Sequence, residues 1–278
     1  MILLDADGVL WRGGEAIPEA PGFIRRAQEA GIRCLMITNN AGLNRDAYAA
    51  KCRRLGLGLC EADIFSTNYI CGPFTARRHP GKRVLVLGSK QLVESVAAAG
   101  NNVTDAHDWL EQRGLAGELL SHEQLDVIAP ADFEVVLMGI DININYAALA
   151  LAGLCCLRGA RLVAANDDVT FPFEHGMTLP GNGAFVALVE AIGGVQAERL
   201  GKPEPYLLEQ VTLETGVATE RMLLIGDRVE TDIELARRAG IPSFLVLTGV
   251  STRETAPSET VQMRIADTLD DVAAALGI

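Results

Sequence analysis

The 278-residue chain lacks the marks of several large functional classes. It has no C-x-x-C pair, and none of its six cysteines (Cys34, Cys52, Cys60, Cys71, Cys155, Cys156) stands at zinc spacing from a histidine. The usual structural zinc patterns are thereby excluded, and the cysteines read as reduced packing residues of a cytosolic protein. Cations are also scarce: 24 Lys and Arg face 36 Asp and Glu, a formal net charge of −12. A nucleic-acid surface needs clustered Lys and Arg to displace counterions, and a bare anionic membrane contact is disfavoured by the same acidity, so neither partner is expected. A small phosphorylated substrate stays open, because the groups lining one site decide that. No purely apolar run approaches the ~20 residues of a membrane-spanning helix. Met1 leads straight into a β-type run with no basic segment before it, so no signal peptide is expected. The four histidines (His79, His107, His122, His175) are scattered without ligand spacing and read as surface or loop residues. A soluble, cytoplasmic protein is expected.

What the chain does have is alternation. Short β-type runs are followed by helix-length amphipathic segments, which predicts an α/β fold with a mainly parallel sheet. Strands are expected at Ile2–Asp5, Ile32–Ile37, Arg83–Gly88, Phe133–Gly139, Arg161–Asn166 and Met222–Asp227. Helices are expected near Glu19–Ala30, from Asn44 to Leu55, and around Gly183–Ile192 and Tyr206–Thr215. Two stretches rich in Pro, Gly or charge, Arg77–Lys82 and Thr170–Gly183, read as seams. The segment between them has elements enough for its own small α/β domain. The expected organisation is a core of residues 1–78 and 179–278 interrupted by an insertion at 79–178.

In an open parallel sheet, ligands bind outside the carboxyl ends of the strands. Strand one ends in Asp5-x-Asp7-Gly8, strand two in Thr38-Asn39-Asn40, and a late strand in Gly226-Asp227, with Asp232 five residues on. Gly201-Lys202-Pro203 opens the helix before that late strand. Singly, each has a plain reading: turn acids for Asp5 and Asp7, a helix-start acid for Asp232, an Asx-type turn for Asn39–Asn40, a solvated lysine for Lys202. Taken together they suit a hard divalent cation held by Asp5, Asp7 and Asp227, since magnesium takes a few protein oxygens plus substrate phosphate. Gly13–Gly14 and Gly181-x-Gly183 follow no strand in the phosphate-loop manner and read as turns. Trp11 reads as packing. Arg45 is a candidate for anchoring substrate or pairing with an acid, and His175, near the second seam, for contacting substrate.

These four groups, in this order, resemble the haloacid dehalogenase (HAD) superfamily of phosphatases. "LLDADGVLW" is similar to its nucleophile motif, "MITNN" to its Thr motif, "GKPEP" to its Lys motif and "IGDRVETDI" to its acidic motif. Within the superfamily, "TNNAGLNR", the long insertion, "AANDD" and "PGNGAFVALVEAIGG" resemble the NagD-like phosphatases of subclass IIA. The resemblance implies a Rossmann-like core with an inserted α/β cap domain, a possible homodimer through that cap, and Mg2+-dependent hydrolysis of a small phosphomonoester. The compounds it leaves open are phosphoglycolate, glycerol phosphate, pyridoxal phosphate, sugar phosphates, nucleotides and p-nitrophenyl phosphate. By the same resemblance Asp5 is the nucleophile that becomes an aspartyl-phosphate, and Asp7 the general acid and base. Asp5, the Asp7 backbone carbonyl and Asp227 hold the metal, and Asp232 binds a metal water or orients Lys202. Thr38, Asn39, Asn40 and Lys202 bind the phosphate. Asn166 and Asp168 contact substrate from the cap, although Ala165 stands where the cap motif often has Thr. Two alternatives remain: a phosphotransferase or phosphomutase using the same aspartyl-phosphate, and a receiver-like signalling protein. The second is disfavoured because Asp5 and Asp7 straddle Ala6, whereas a receiver's paired acids are adjacent and its chain is about half as long.

Overall fold

Runs such as ILLD, CLMIT and LLIG are apolar on both faces, as strands sheathed by helices on both sides must be. In the computed structural model, which describes residues 1–115, 123, 128, 132–172 and 178–278, these runs are the strands Ile2–Asp5, Cys34–Thr38 and Leu223–Gly226. The described residues divide into two units. Met1–Asn39, Arg45–Ser66 and Lys202–Ile278 form the first, and Asn40–Asn44 with Thr67–Gly201 the second. His122, His175 and the middle of the second expected seam lie outside the described residues.

Among the described residues, the first unit is built on a six-stranded parallel sheet. Its order is Met263–Ala266, Ser243–Val246, Leu223–Gly226, Ile2–Asp5, Cys34–Thr38, Ile64–Ser66. The order runs outward from Ile2–Asp5 in both directions, so the switch point lies between that strand and Leu223–Gly226, where doubly wound sheets bind ligands. Leu4 pairs with Ile225 and Asp5 with Ile37. The strands Ile2–Asp5 and Leu223–Gly226 therefore end level, at Asp5 and Gly226, and Cys34–Thr38 runs one residue further. The helix Ala20–Glu29 buries Phe23, Ile24 and Ala27, the face its apolar spacing predicts, and Arg45–Arg54 buries Tyr48, Ala49 and Cys52.

Among the described residues, the second unit has its own five-stranded parallel sheet, in the order Glu198–Arg199, Arg161–Ala164, Val135–Met138, Arg83–Leu87, Asn102–Asp105. The helices Tyr146–Leu157 and Asn182–Gly193 pack together and bury Leu151, Cys155, Cys156, Val186 and Val189. All six cysteines are free and five are buried; Cys60, on the surface, departs from the packing expectation.

The second unit is longer than the insertion expected at 79–178. At its far end, the helix Asn182–Gly193 and the strand Glu198–Arg199 complete its packing and its sheet. At its near end, the helix Thr67–Arg78 packs on Lys90–Ala98. The pair Gly72-Pro73 disguises that helix, since both residues are poor helix formers. Gly72 is there for a steric reason: a Cβ on it would lie 2.8 Å from both the Ser95 carbonyl oxygen and the Ala99 Cβ. Gly181 and Gly183 have the same cause, since a Cβ on either would fall within 2.3 Å of the Asp168 or Asp167 carbonyl.

Substituting Gly72→Val should push the two helices apart and destabilise the protein by about 1–3 kcal/mol. A lowered urea midpoint would show it; an unchanged midpoint would mean the close approach carries no energetic weight.

Candidate active site

Asp5 closes the central strand of the first unit, and a lysine far along the chain reaches it. Lys202 Nζ donates to Asp5 Oδ1 at 2.6 Å and to Asp232 Oδ1 at 2.7 Å, and all three residues are buried. The lysine's main chain is held from the neighbouring strand end. The Asn39 side chain donates from Nδ2 to the Lys202 carbonyl (2.9 Å) and accepts the Lys202 N–H at Oδ1 (2.6 Å). Asp232 lies in a wide π-type turn, Val229–Ile233, and its Oδ2 accepts the Arg228 N–H at 3.1 Å. Such turns recur at functional sites. Asp227, the first residue past its strand, accepts the Val250 N–H at Oδ2 (2.7 Å).

Three glycines make room for these acids. A Cβ at Gly226 would lie 2.2 Å from the Asp232 Cβ; at Gly249, 1.9 Å from Asp227 Oδ2; at Gly8, 2.5 Å from the same oxygen. Gly8 also has φ +86°, where a side chain is strained.

Asp5, Asp227 and Asp232 each offer a carboxylate oxygen, and the three oxygens lie within 4.8 Å of one another. Burial drives the Asp5 carboxyl up to about 6, with the Lys202 charge pulling it down and Asp227 pushing it further up. Burial likewise raises Asp232 to about 6, opposed by Lys202 and assisted by Asp5. Asp227 is raised by burial and by Asp232. Burial works against the Lys202 charge, but Asp232 and Asp5 outweigh it and hold the ammonium protonated beyond its ordinary range. Three carboxylates thus share one cation. The shortfall of positive charge and the all-oxygen donor set fit a hard divalent ion.

Asp7 is exposed, and its Oδ1 accepts the Trp11 indole N–H at 3.0 Å. Trp11 is buried and stacked on Tyr48, with Lys51 Nζ 4.0 Å from its ring centre. The Tyr48 hydroxyl hydrogen-bonds the Thr38 side chain. Trp11 is therefore packing and, in addition, the anchor of Asp7. The sequence signal for it was an indole donor four residues after the acid. The carboxylates gathered for a metal are those of Asp5, Asp227 and Asp232; the Asp7 side chain stands apart from them.

The other expected contacts divide between the two units. Asn40, Asn166 and Asp168 belong to the second unit. Asn40 Oδ1 accepts the Gly42 N–H at 2.8 Å, the Asx-type turn. Asn166 and Asp168 follow the strand Arg161–Ala164, where their carbonyls accept from the Asn182 side chain and the Gly183 N–H. Arg45 donates to the Ile64 carbonyl and pairs with Glu214 at 3.5 Å, so it braces the first unit.

Residues 2–102 match a family model described as haloacid dehalogenase-like hydrolase, and residues 199–275 match a second HAD-like hydrolase model. Human glycerol-3-phosphate phosphatase is 37% identical over 262 residues, 90% of this chain and 79% of that protein. The 5'-nucleotidase YutF of Bacillus subtilis is 32% identical, over 91% of this chain and 88% of the relative. The crystal structure of glycerol phosphate phosphatase from Mycobacterium tuberculosis in complex with calcium is 31% identical, with a TM-score of 0.80 over 98% of this chain and 74% of that one.

The chain belongs to the haloacid dehalogenase-like hydrolases. Within them it is a NagD-like phosphatase, and the receiver-like alternative falls away. In its first unit Asp5 and Thr38 close adjacent strands, Asp227 follows the strand on the other side of Asp5, and Lys202 is brought to Asp5.

The raised carboxyls set a pH dependence. Asp5 and Asp232 titrate near 6 in the folded protein against 3.8 for a free aspartate, so the destabilisation they cause is absent below about pH 4 and complete above about pH 6. A divalent cation needs them deprotonated. The rise in melting temperature on adding Mg2+ should therefore be larger at about pH 7.5 than at about pH 5; equal rises would remove these carboxylates from the metal's ligands. Lys202→Met should cost about 3–5 kcal/mol in metal-free protein, because it strands buried carboxylates without a counter-charge. Chemical denaturation would measure this, with a smaller loss at acid pH, where the carboxyls are neutral.

Proposed function

We propose that this phosphatase hydrolyses small phosphomonoesters with Mg2+ through an aspartyl-phosphate on Asp5. The observation that carries the proposal is the position of Asp5, with Lys202 on one oxygen and two further carboxylates within reach of a shared cation. Asp5, Asp227 and Asp232, with the Asp7 backbone carbonyl, would hold the ion. When bound, it would neutralise the carboxylates and the phosphate, lowering the repulsion between the nucleophile and a dianion.

In the first half-reaction an Asp5 carboxylate oxygen attacks phosphorus, the bond from phosphorus to the ester oxygen breaks, and the alkoxide takes the proton of Asp7. In the second, Asp7 takes a proton from water, the hydroxide attacks the same phosphorus, and the bond to the Asp5 oxygen breaks to release phosphate. Lys202, the Thr38 hydroxyl and backbone amides after it meet the equatorial oxygens. Lys202 also keeps Asp5 oriented and ionised between turnovers. Asp7 is exposed, so water can reach the base, which favours hydrolysis over transfer to a second acceptor.

Relatives named for glycerol 3-phosphate and for nucleotides are almost equally similar, so the substrate is sought on a panel. Phosphate release from glycerol 3-phosphate, nucleoside 5'-monophosphates, phosphoglycolate, pyridoxal phosphate and p-nitrophenyl phosphate should require Mg2+. It should fall about 10³-fold or more in Asp5→Asn. Undiminished release in that variant would refute the nucleophile. Trp11→Phe, which removes the indole donor to Asp7, should lower kcat about tenfold with KM little changed, since the acid loses its fixed direction. An unaltered kcat would reduce Trp11 to packing alone.

A further inference from the structure

The second unit contains a cleft of about 580 Å³ that the phosphatase chemistry leaves unused. It lies at the amino ends of the strands Arg83–Leu87, Val135–Met138 and Arg161–Ala164, the edge of that sheet opposite Asn166 and Asp168. Its volume suits a small ligand.

The charges around it are uneven. Its two acids are already answered: Glu134 accepts from Lys82 Nζ at 2.6 Å and from the Arg83 N–H, and Asp132 accepts from the Arg83 guanidinium. Two further guanidiniums line it, those of Arg158 and Arg161, and among the described residues neither pairs with a carboxylate. They flank Gly159, whose φ of +101° turns the chain from the helix Tyr146–Leu157 into the strand, so both border one cavity. The Phe133 ring and Ala160 add an apolar portion to the lining. Positive charge that no carboxylate answers among the described residues is out of keeping with a chain of net charge −12.

We infer that this cleft is a second binding site, for a small dianion of the phosphate class, held by Arg158 and Arg161. Two guanidiniums with no carboxylate partner among the described residues match two negative charges, and guanidinium forks bind phosphate oxygens in pairs. The apolar portion would admit the organic part of a phosphate ester. Free phosphate and a phosphate ester are the two sources of this chemistry.

His79 supplies an independent reporter. It lines the cleft, its ring meets Phe74 edge-on at 6.3 Å, and its Nε2 is buried without a hydrogen-bond partner among the described residues. Burial lowers its basicity, Arg78, Arg161 and Lys82 lower it further, and only Glu198 acts the other way. A dianion bound between the arginines would offset those cations and make His79 easier to protonate.

The test is a proton NMR titration of the His79 ring in the full-length Asp5→Asn protein, which does not consume esters, with EDTA present. Inorganic phosphate and glycerol 3-phosphate are the probes, and sodium chloride at matched ionic strength is the control. The expected result is a saturable displacement of the His79 signal and a rise in its midpoint pH. Apparent affinity should weaken about tenfold or more in Arg158→Gln/Arg161→Gln, while Arg158→Lys keeps most of it. Tighter binding of the ester than of phosphate would assign the site to an organic phosphate, and equal binding to phosphate itself. An unmoved signal, a displacement reproduced by chloride, or one unaffected by the double substitution would overturn the inference. Because both arginines are exposed, the far-UV spectrum of the double variant should be unchanged; if it is not, Arg161→Gln alone carries the test. Failure of the phosphatase mechanism is distinguishable: it would show as phosphate release from the ester in Asp5→Asn, while inorganic phosphate would still report on the cleft through His79, Arg158 and Arg161, which that mechanism does not use.

Discussion

A lysine ammonium caught between two buried carboxylates is the constraint around which the first unit is arranged. An ion in an apolar interior is tolerable only if its partner is in place and its remaining hydrogen-bonding capacity is met. Lys202 lies 197 residues from Asp5 and 30 from Asp232 in sequence, so the pairing exists only when three separate segments have folded. Much of the local structure serves this meeting. Asn39 fixes the lysine's backbone, the π-type turn carries Asp232 back beneath its strand, and Gly226 leaves the space that turn requires. The level ends of Ile2–Asp5 and Leu223–Gly226 place Asp227 next to the other two acids. The residual imbalance, three carboxylates to one ammonium, is expensive for a metal-free fold and useful for a site that must hold a cation.

The sequence carried the elements more clearly than the partnerships. Strand ends bearing Asp5, Thr38 and Asp227 were legible because apolar runs stop abruptly at polar residues, and a parallel sheet puts such ends together. The helix Ala20–Glu29 followed from its apolar spacing and the glycine after it. Other features were hidden for identifiable reasons. The helix Thr67–Arg78 contains Gly72-Pro73, which local propensity reads as an interruption, whereas the glycine answers to a neighbouring helix that no local rule can see. The short strands Ile64–Ser66 and Glu198–Arg199 hold two or three residues each, too few to show a period. Both lie near the limits of the inserted unit, which is why its bounds are legible only from the packing.

At the site the same division holds. The chemical type of each group could be read from sequence, but its geometry could not. Asp232 looks like an ordinary helix-start acid until the turn around it proves to be wide. Trp11 looks like core until its indole nitrogen is found on Asp7, leaving a residue with two duties that hydrophobicity alone cannot separate. Arg45, beside the Thr motif in sequence, is drawn instead to the Ile64 carbonyl and Glu214, because a guanidinium must spend its donors where oxygens are near.

The acidity of the chain bears on the proposed chemistry in one further way. A phosphomonoester dianion approaching three carboxylates and one ammonium meets net negative charge, and in a partly buried site that repulsion is weakly screened. With a divalent cation among the carboxylates the local charge is close to neutral, and the Lys202 ammonium and strand-end amides can then dominate what the phosphate meets. Cation and substrate would therefore strengthen each other's binding by the same factor, as linkage requires. On the proposed reading, the crowding of like charges around Asp5 is what makes the site selective for the pair: phosphate without the ion is repelled, and the ion without phosphate keeps part of its coordination open to water.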